Sequence, residues 1–188
     1  MPQGQQEQTG MSKEAFTIFY GPRGESAEAV PIDSRALGAS LLALGDLLTE
    51  ANAFLNKNNG AQLRVNVTGF KNGCFGVDLE TVVSLLQRTY NLLWGQKVQG
   101  AIAILAFMGF QPISSAKGVW QYLRAAKGQR PKKVEQLPTA DGRAKAKATF
   151  PDGTVFEGDY SVIEYASKDG THLRINASNV LSPLRTCS

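Results

Sequence analysis

The chain is poor in the residues that most enzyme and metal chemistry requires. It has one histidine, His172, and two widely separated cysteines, Cys74 and Cys187, in 188 residues. A zinc site needs clustered His, Cys or carboxylate ligands, so no zinc centre and no other metal or cofactor is expected. Two distant cysteines form neither a disulfide framework nor a CxxC pair, and scarce thiols suit a reducing compartment. The residues Met1 to Gly10 are polar and Gln-rich, with no apolar stretch of the kind a secretory signal carries. They read as a disordered lead over 1–13, and the expected location is cytoplasmic, with a membrane-peripheral alternative. No GxxxxGK[ST] loop occurs, and no GxGxxG sits between a strand and a helix. The glycines Gly69, Gly73 and Gly76 fit hairpin turns and close strand packing better than a phosphate cradle.

Candidate catalytic groups are equally sparse. His172 falls in an expected strand without a signature for the positioned partner a general base requires. Cys74 follows a turn and reads as a small buried apolar residue. Asp78 and Glu80 flank Leu79 where a strand is expected to give way to a helix, and capping explains them. Glu157, Asp159 and Glu164 lie among lysines that can pair with them. An enzyme would need a pocket gathering Asp78, Glu164 or His172, and no catalytic residue is assigned.

What is present is a regular alternation of helix and strand patterns. Phe16 to Tyr20 is a short aromatic strand closed by Gly21-Pro22-Arg23-Gly24. Asp33 or Ser34 can cap a helix by accepting the free amide hydrogens of its first turn. The apolar positions Leu37, Leu41, Leu44, Leu48, Ala51 and Leu55 follow at spacings that make one continuous stripe, and Leu47 and Phe54 widen it. Leu63, Val65 and Val67 then alternate with polar residues, Asn72-Gly73 signals a tight hairpin turn, and Phe75, Val77 and Leu79 alternate on the return. A second helix is expected from about Glu80, with Val82, Val83, Leu86, Tyr90 and Leu93 on its apolar face.

The middle of the chain is the main functional clue. From Ala101 to Phe110 every residue but Gly109 is apolar, and Gln99 and Gln111 bound the run. A spanning helix needs ~20 such residues, so a simple transmembrane pass is disfavoured. Three readings remain. The segment is a core helix enclosed on all sides, an oligomer contact in which Gly95, Gly100 and Gly109 allow close approach, or a shallow membrane contact. For the last two, Ile102, Leu105, Phe107, Met108, Phe110 and Trp120 are the contact residues. A third helix is expected from Ser114 or Ser115 to about Lys127, apolar through Val119, Trp120, Tyr122, Leu123 and Ala126.

Charge is unevenly spread. Nine basic residues and two acidic ones lie between Lys117 and Lys147, a local +7 in a chain of net charge +4. Such a block suits an anionic neighbour. Lys127, Arg130, Lys132, Lys133, Lys145 and Lys147 are the candidate anion-binding residues, for nucleic acid phosphates or an anionic membrane surface. A solvated basic linker is the plain alternative. The stretch Gln129 to Asp141, with Pro131 and Pro138, reads as that linker. Short strands follow it: Ala144 to Phe150, a Pro151-Asp152-Gly153 turn, Thr154 to Glu157, Tyr160 to Tyr165, a Lys168-Asp169-Gly170 turn, and Thr171 to Asn176.

Several of these pieces occur in a familiar order. The strand Phe16 to Tyr20, the helix opening Ile32 to Leu42, the return Gly73 to Leu79, the glycine-rich apolar stretch, and Trp120-Gln121-Tyr122-Leu123-Arg124 with its basic tail resemble a group of uncharacterised bacterial proteins found near phage and other mobile-element genes. The resemblance covers about residues 14–135. It implies the architecture and a mobile-element setting, and supplies no activity and no catalytic residues.

The sequence thus predicts an α+β fold: an N-terminal strand-helix-hairpin-helix unit, a central apolar helical segment, and a C-terminal antiparallel β-meander. The expected divisions are 14–128 as the core, with the apolar helical segment at 95–127, 129–141 as linker, and 142–188 as a small antiparallel module. The expected function is that of a non-enzymatic interaction protein that associates with itself, in a phage or mobile-element setting. Peripheral membrane binding through 95–127 and nucleic-acid binding through 117–147 are the alternatives.

Overall fold

A computed structural model describes residues 11–20, 32–57, 62–71, 75–84, 100–110, 117–138 and 144–168. The fold is α+β, with two three-stranded antiparallel sheets and four helices among these residues. The first sheet contains β1 (Met11–Tyr20), β2 (Leu63–Lys71) and β3 (Phe75–Ser84), in the order β1-β3-β2. The opening strand therefore begins at Met11, not after a lead ending at residue 13.

The strand β3 corrects one expectation. Glu80 to Ser84 continues the strand instead of starting a helix. Val77, Leu79, Thr81 and Val83 are buried while Asp78, Glu80, Val82 and Ser84 are not, so the period of two holds to the end. The β-branched Thr81, Val82 and Val83 favour this pleated, half-buried surface. The other residues assigned to that helix, Leu86, Tyr90 and Leu93, lie outside the described residues, as do Cys74, His172, Cys187 and the expected strand Thr171 to Asn176.

Helix α1 (Ser34–Leu55) starts where the capping residue dictates. The Asp33 carboxylate accepts from the amides of Arg35 (2.9 Å) and Ala36 (3.0 Å). Its buried stripe contains Leu44, Leu47, Leu48, Ala51 and Leu55, and Leu37, Leu41 and Phe54 pack at its border. At the far end, Asn56 Nδ2 donates to the side chain of the buried Asn52 at 2.5 Å. The stripe faces the inner side of the first sheet together with α2 (Ala101–Met108).

The helix α2 is the apolar middle of the chain. It ends at Gly109, which adopts the left-handed conformation at φ 88°. The amide of Phe110 then returns to the Leu105 carbonyl at 2.8 Å. From here the chain enters α3 (Val119–Ala126) through an unusually close backbone approach. A Cβ on Gly118 would lie 2.6 Å from the Phe107 carbonyl oxygen and 2.7 Å from Gly109 Cα. The Gln121 side chain locks this junction: its Oε1 accepts from the Gly118 amide at 2.9 Å, and its Nε2 faces the Gly109 carbonyl at 3.4 Å. The first turn of α3 is thus tied directly to the end of α2.

The second sheet contains β4 (Lys133–Leu137), β5 (Lys145–Thr149) and β6 (Val155–Asp159), in sequence order. The meander is present, with two corrections. The stretch read as a linker holds β4, paired with β5 from Lys133↔Thr149 to Leu137↔Lys145. The strand expected over Tyr160 to Tyr165 is instead the start of helix α4 (Tyr160–Lys168). Asp159 decides this locally, because its carboxylate accepts from the Ser161 amide (2.9 Å) and hydroxyl (2.6 Å) and so caps a helix. Val162, Ile163, Tyr165 and Ala166 are buried at helical spacing. The rings of Phe54, Phe107 and Tyr165 meet at 5.1–5.9 Å and join α1, α2 and α4 in one core.

Candidate functional site

The six candidate contact residues of the apolar middle divide by burial. Leu105, Phe107 and Met108 are 0% exposed and belong to the core of this chain. Enclosed on every side by their own fold, they have no surface to present to a membrane or a second copy. The core-helix reading therefore describes this segment. Ile102 is half-buried. Phe110 and Trp120 are also half-buried, because Phe110 stacks on Phe16 (5.7 Å) and packs against Trp120 (5.9 Å). These rings bridge β1, the end of α2 and α3. Among the described residues, no helix is long and apolar enough to cross a membrane.

The basic block changes character once the strands pair. On the face of the second sheet turned away from α4, Lys145, Lys147 and Lys133 alternate with carboxylates from the neighbouring strands. Lys147 lies between Glu135 of β4 and Glu157 of β6, and Lys145 lies beside Asp159. Lys133 bonds Glu135 at 2.6 Å, and that bond, with the nearby positive charge of Lys133 and of Lys147, holds the Glu135 carboxyl below its ordinary range. Lys127 pairs with Asp152 at 3.2 Å. Hydrogen bonds from Thr154, and then the one from Lys127, hold the Asp152 carboxyl low as well. Lys117 stands over the Phe156 ring, 5.8 Å from its centroid. Arg130 and Lys132 are exposed beside β4.

This face is therefore a charge checkerboard rather than a positive patch. A polyanion gains by releasing its own condensed counterions when unpaired protein cations take their place, and here three lysines already have three carboxylates as neighbours. The sequence could not display this balance, since the acidic partners come from β6 and from within β4. Among the described residues, no three His, Cys, Asp or Glu side chains gather as a metal would need. Asp78, a candidate acid, instead accepts from the Thr17 hydroxyl at 2.6 Å on the outer face of the first sheet. Glu164 sits on α4, half-buried.

The surface that sequence reasoning missed is that outer face. Helices α1 and α2 cover the inner side, where Phe16 and Ile18 pack. Met11, Lys13, Ala15, Thr17 and Phe19 of β1 lie on the opposite side, beside Ser84, Val82, Glu80, Asp78 and Gly76 of β3. Met11 is 71% exposed and Phe19 55%. Lys13 reaches Glu80 at 3.9 Å. Exposed apolar residues scattered singly need no explanation, but two on one face of one strand merit attention. The strand carries large apolar residues on both faces, Met11 and Phe19 on one and Phe16 and Ile18 on the other, so its alternation alone does not say which face packs.

Comparison with models of protein families, with curated proteins and with solved structures finds no match to this chain.

Proposed function

We propose that this chain is a non-enzymatic interaction protein that associates with a second copy of itself, and that its contact surface is the N-terminal sheet rather than the apolar middle. The observation that carries the reading is the exposure of Met11 and Phe19 on the sheet face opposite α1 and α2. A side chain of this size left in water forgoes the free energy that burial would return, and a contact between copies recovers it. The polar residues of the same face, Lys13, Thr17, Asp78 and Glu80, are paired among themselves at 2.6 Å and 3.9 Å. The Lys13–Glu80 pair can therefore enter a contact without leaving a lone charge behind, and Asp78 keeps its hydrogen bond from Thr17. On the resemblance of residues 14–135, the protein serves a phage or other mobile element.

The test is light scattering coupled to size exclusion over a concentration series. A discrete dimer or higher closed oligomer is expected. A single monomeric species throughout, up to several hundred micromolar, overturns the reading.

A further inference from the structure

The fold sorts the basic residues of the block into two groups. Lys145 and Lys147 stand beside Asp159, Glu135 and Glu157 on the face of the second sheet and are matched there. A second group gathers at one end of that sheet, where α3 finishes and β4 begins. The chain reverses there through Lys127 and Gly128, both left-handed at φ 47° and 79°. Lys127 reaches Asp152 in the β5–β6 turn at 3.2 Å. Arg124, three residues earlier, is its neighbour on the helix surface. The Lys132 amide donates to the Thr149 carbonyl at 2.7 Å, which ties the other arm of the reversal to the start of the same turn. Arg130 lies between the two arms, and Lys133 opens β4 opposite Thr149.

From Arg124 to Lys133 the chain has five basic residues and no acidic one. Two carboxylates come from outside the reversal: Asp152 takes Lys127, and Glu135 takes Lys133. Five cations less two carboxylates leave an excess of +3. Arg124, Arg130 and Lys132 carry it; all three are exposed, and no carboxylate among the described residues forms an ion pair with them. The end of α3 accounts for Arg124 and Lys127, because cations are favourable in the last turn of a helix. Arg130 and Lys132 lie beyond that turn.

The residues around these cations indicate which anion they suit. Ala125, Ala126, Gly128, Gln129 and Pro131 separate them, and no large apolar side chain stands among them. The reversal therefore lacks the apolar anchor with which a basic surface enters a bilayer. Two of the three open cations are arginines, whose planar fork of donors matches the oxygens of a phosphate. Contacts of this kind fix a protein on a nucleic acid backbone and carry no sequence information.

We infer that the reversal between α3 and β4 binds the phosphate backbone of a nucleic acid through Arg124, Arg130 and Lys132, without regard to sequence. This surface is separate from the sheet face of the self-association proposal and does not depend on it.

Fluorescence anisotropy with a short labelled DNA duplex tests the inference on the full chain. Three phosphate contacts predict an affinity that falls about 40-fold between 50 mM and 200 mM salt. Combining Arg124→Gln, Arg130→Gln and Lys132→Gln is expected to weaken binding at the lower salt by about tenfold or more and to flatten the salt dependence. These positions are exposed, so urea unfolding of the triple variant is expected to match that of the parent chain. Combining Lys145→Gln and Lys147→Gln, whose charges are already matched, is expected to weaken binding by no more than about threefold. Absence of binding at 50 mM salt, a triple variant that binds as the parent does, or an equal loss in the Lys145 and Lys147 variant overturns the assignment. Flotation with phosphatidylserine vesicles that captures the parent chain but not the triple variant, when the duplex is not bound, overturns it in favour of a membrane surface.

Discussion

The placement of the apolar middle inside the core has a direct energetic consequence at Phe107. The ring is fully buried, 5.9 Å from Phe54 and 5.3 Å from Tyr165. Phe107→Ala removes a large apolar group and leaves a cavity whose walls come from three different helices. Such truncations cost ~3–5 kcal/mol, and part of that is the loss of two ring contacts worth about 0.5–1.5 kcal/mol each. In a chain of this size, each kcal/mol lowers the midpoint by roughly 2–4 °C, so a fall of about 6–20 °C is expected. Thermal and urea unfolding, run at two protein concentrations tenfold apart, would measure it. A core residue produces the same loss at both concentrations. A residue buried by a partner copy produces a loss that depends on concentration, because association shifts apparent stability by mass action. A cost below about 1 kcal/mol, or one confined to the higher concentration, refutes the assignment of this segment to the core of one chain.

Other positions give independent checks. Gly118→Ala is expected to destabilise by about 1–3 kcal/mol in urea unfolding, since its Cβ would meet the backbone of Phe107 and Gly109, which cannot swing aside. Gly38→Ala, in α1 with nothing within 4 Å of the added carbon, is expected to stabilise by about 0.5–1 kcal/mol by the same measurement. Thr81→Val is expected to be neutral or to stabilise by about 1 kcal/mol. The Thr81 hydroxyl is buried with no hydrogen-bond partner among the described residues, and the variant removes the group without disturbing the strand. The Glu135 carboxyl, followed by NMR, is expected to titrate below the ordinary glutamate range because of its bond to Lys133, and Lys133→Met is expected to raise it. Because its folded value is depressed, its contribution to stability is complete above the unfolded value and is lost as pH falls through the folded one.

Local rules were legible wherever a segment's own side chains settle its conformation. Asp33 caps α1, the stripe from Leu37 to Leu55 packs as its spacing requires, and the Pro151-Asp152-Gly153 turn joins β5 to β6. The misreadings share a cause. Tyr160 to Tyr165 is rich in β-branched and aromatic residues and so resembles a strand, yet one carboxylate at Asp159 and a core receptive to Val162, Ile163, Tyr165 and Ala166 turn it into a helix. At Glu80 to Ser84 the spacing fitted a helix face as well as a strand, and pairing with β1 and β2 chose the strand. Short segments with two compatible periods are decided by their neighbours.

By itself the sequence determined the α+β composition, the capped first helix, the hairpin strands and the inability of the apolar run to cross a bilayer, because these depend on residues near one another in the chain. Three matters were decided only by tertiary structure. The apolar middle became core because α1, β1, β3 and α3 all pack against it. The basic block lost its excess charge on one sheet face because β6 brings Glu157 and Asp159 beside the lysines of β5. The outer face of β1 stayed in water because both packed helices lie on the other side of its sheet. Which side of an element meets solvent depends on what packs against it, and a chain's own periodicity does not contain that information.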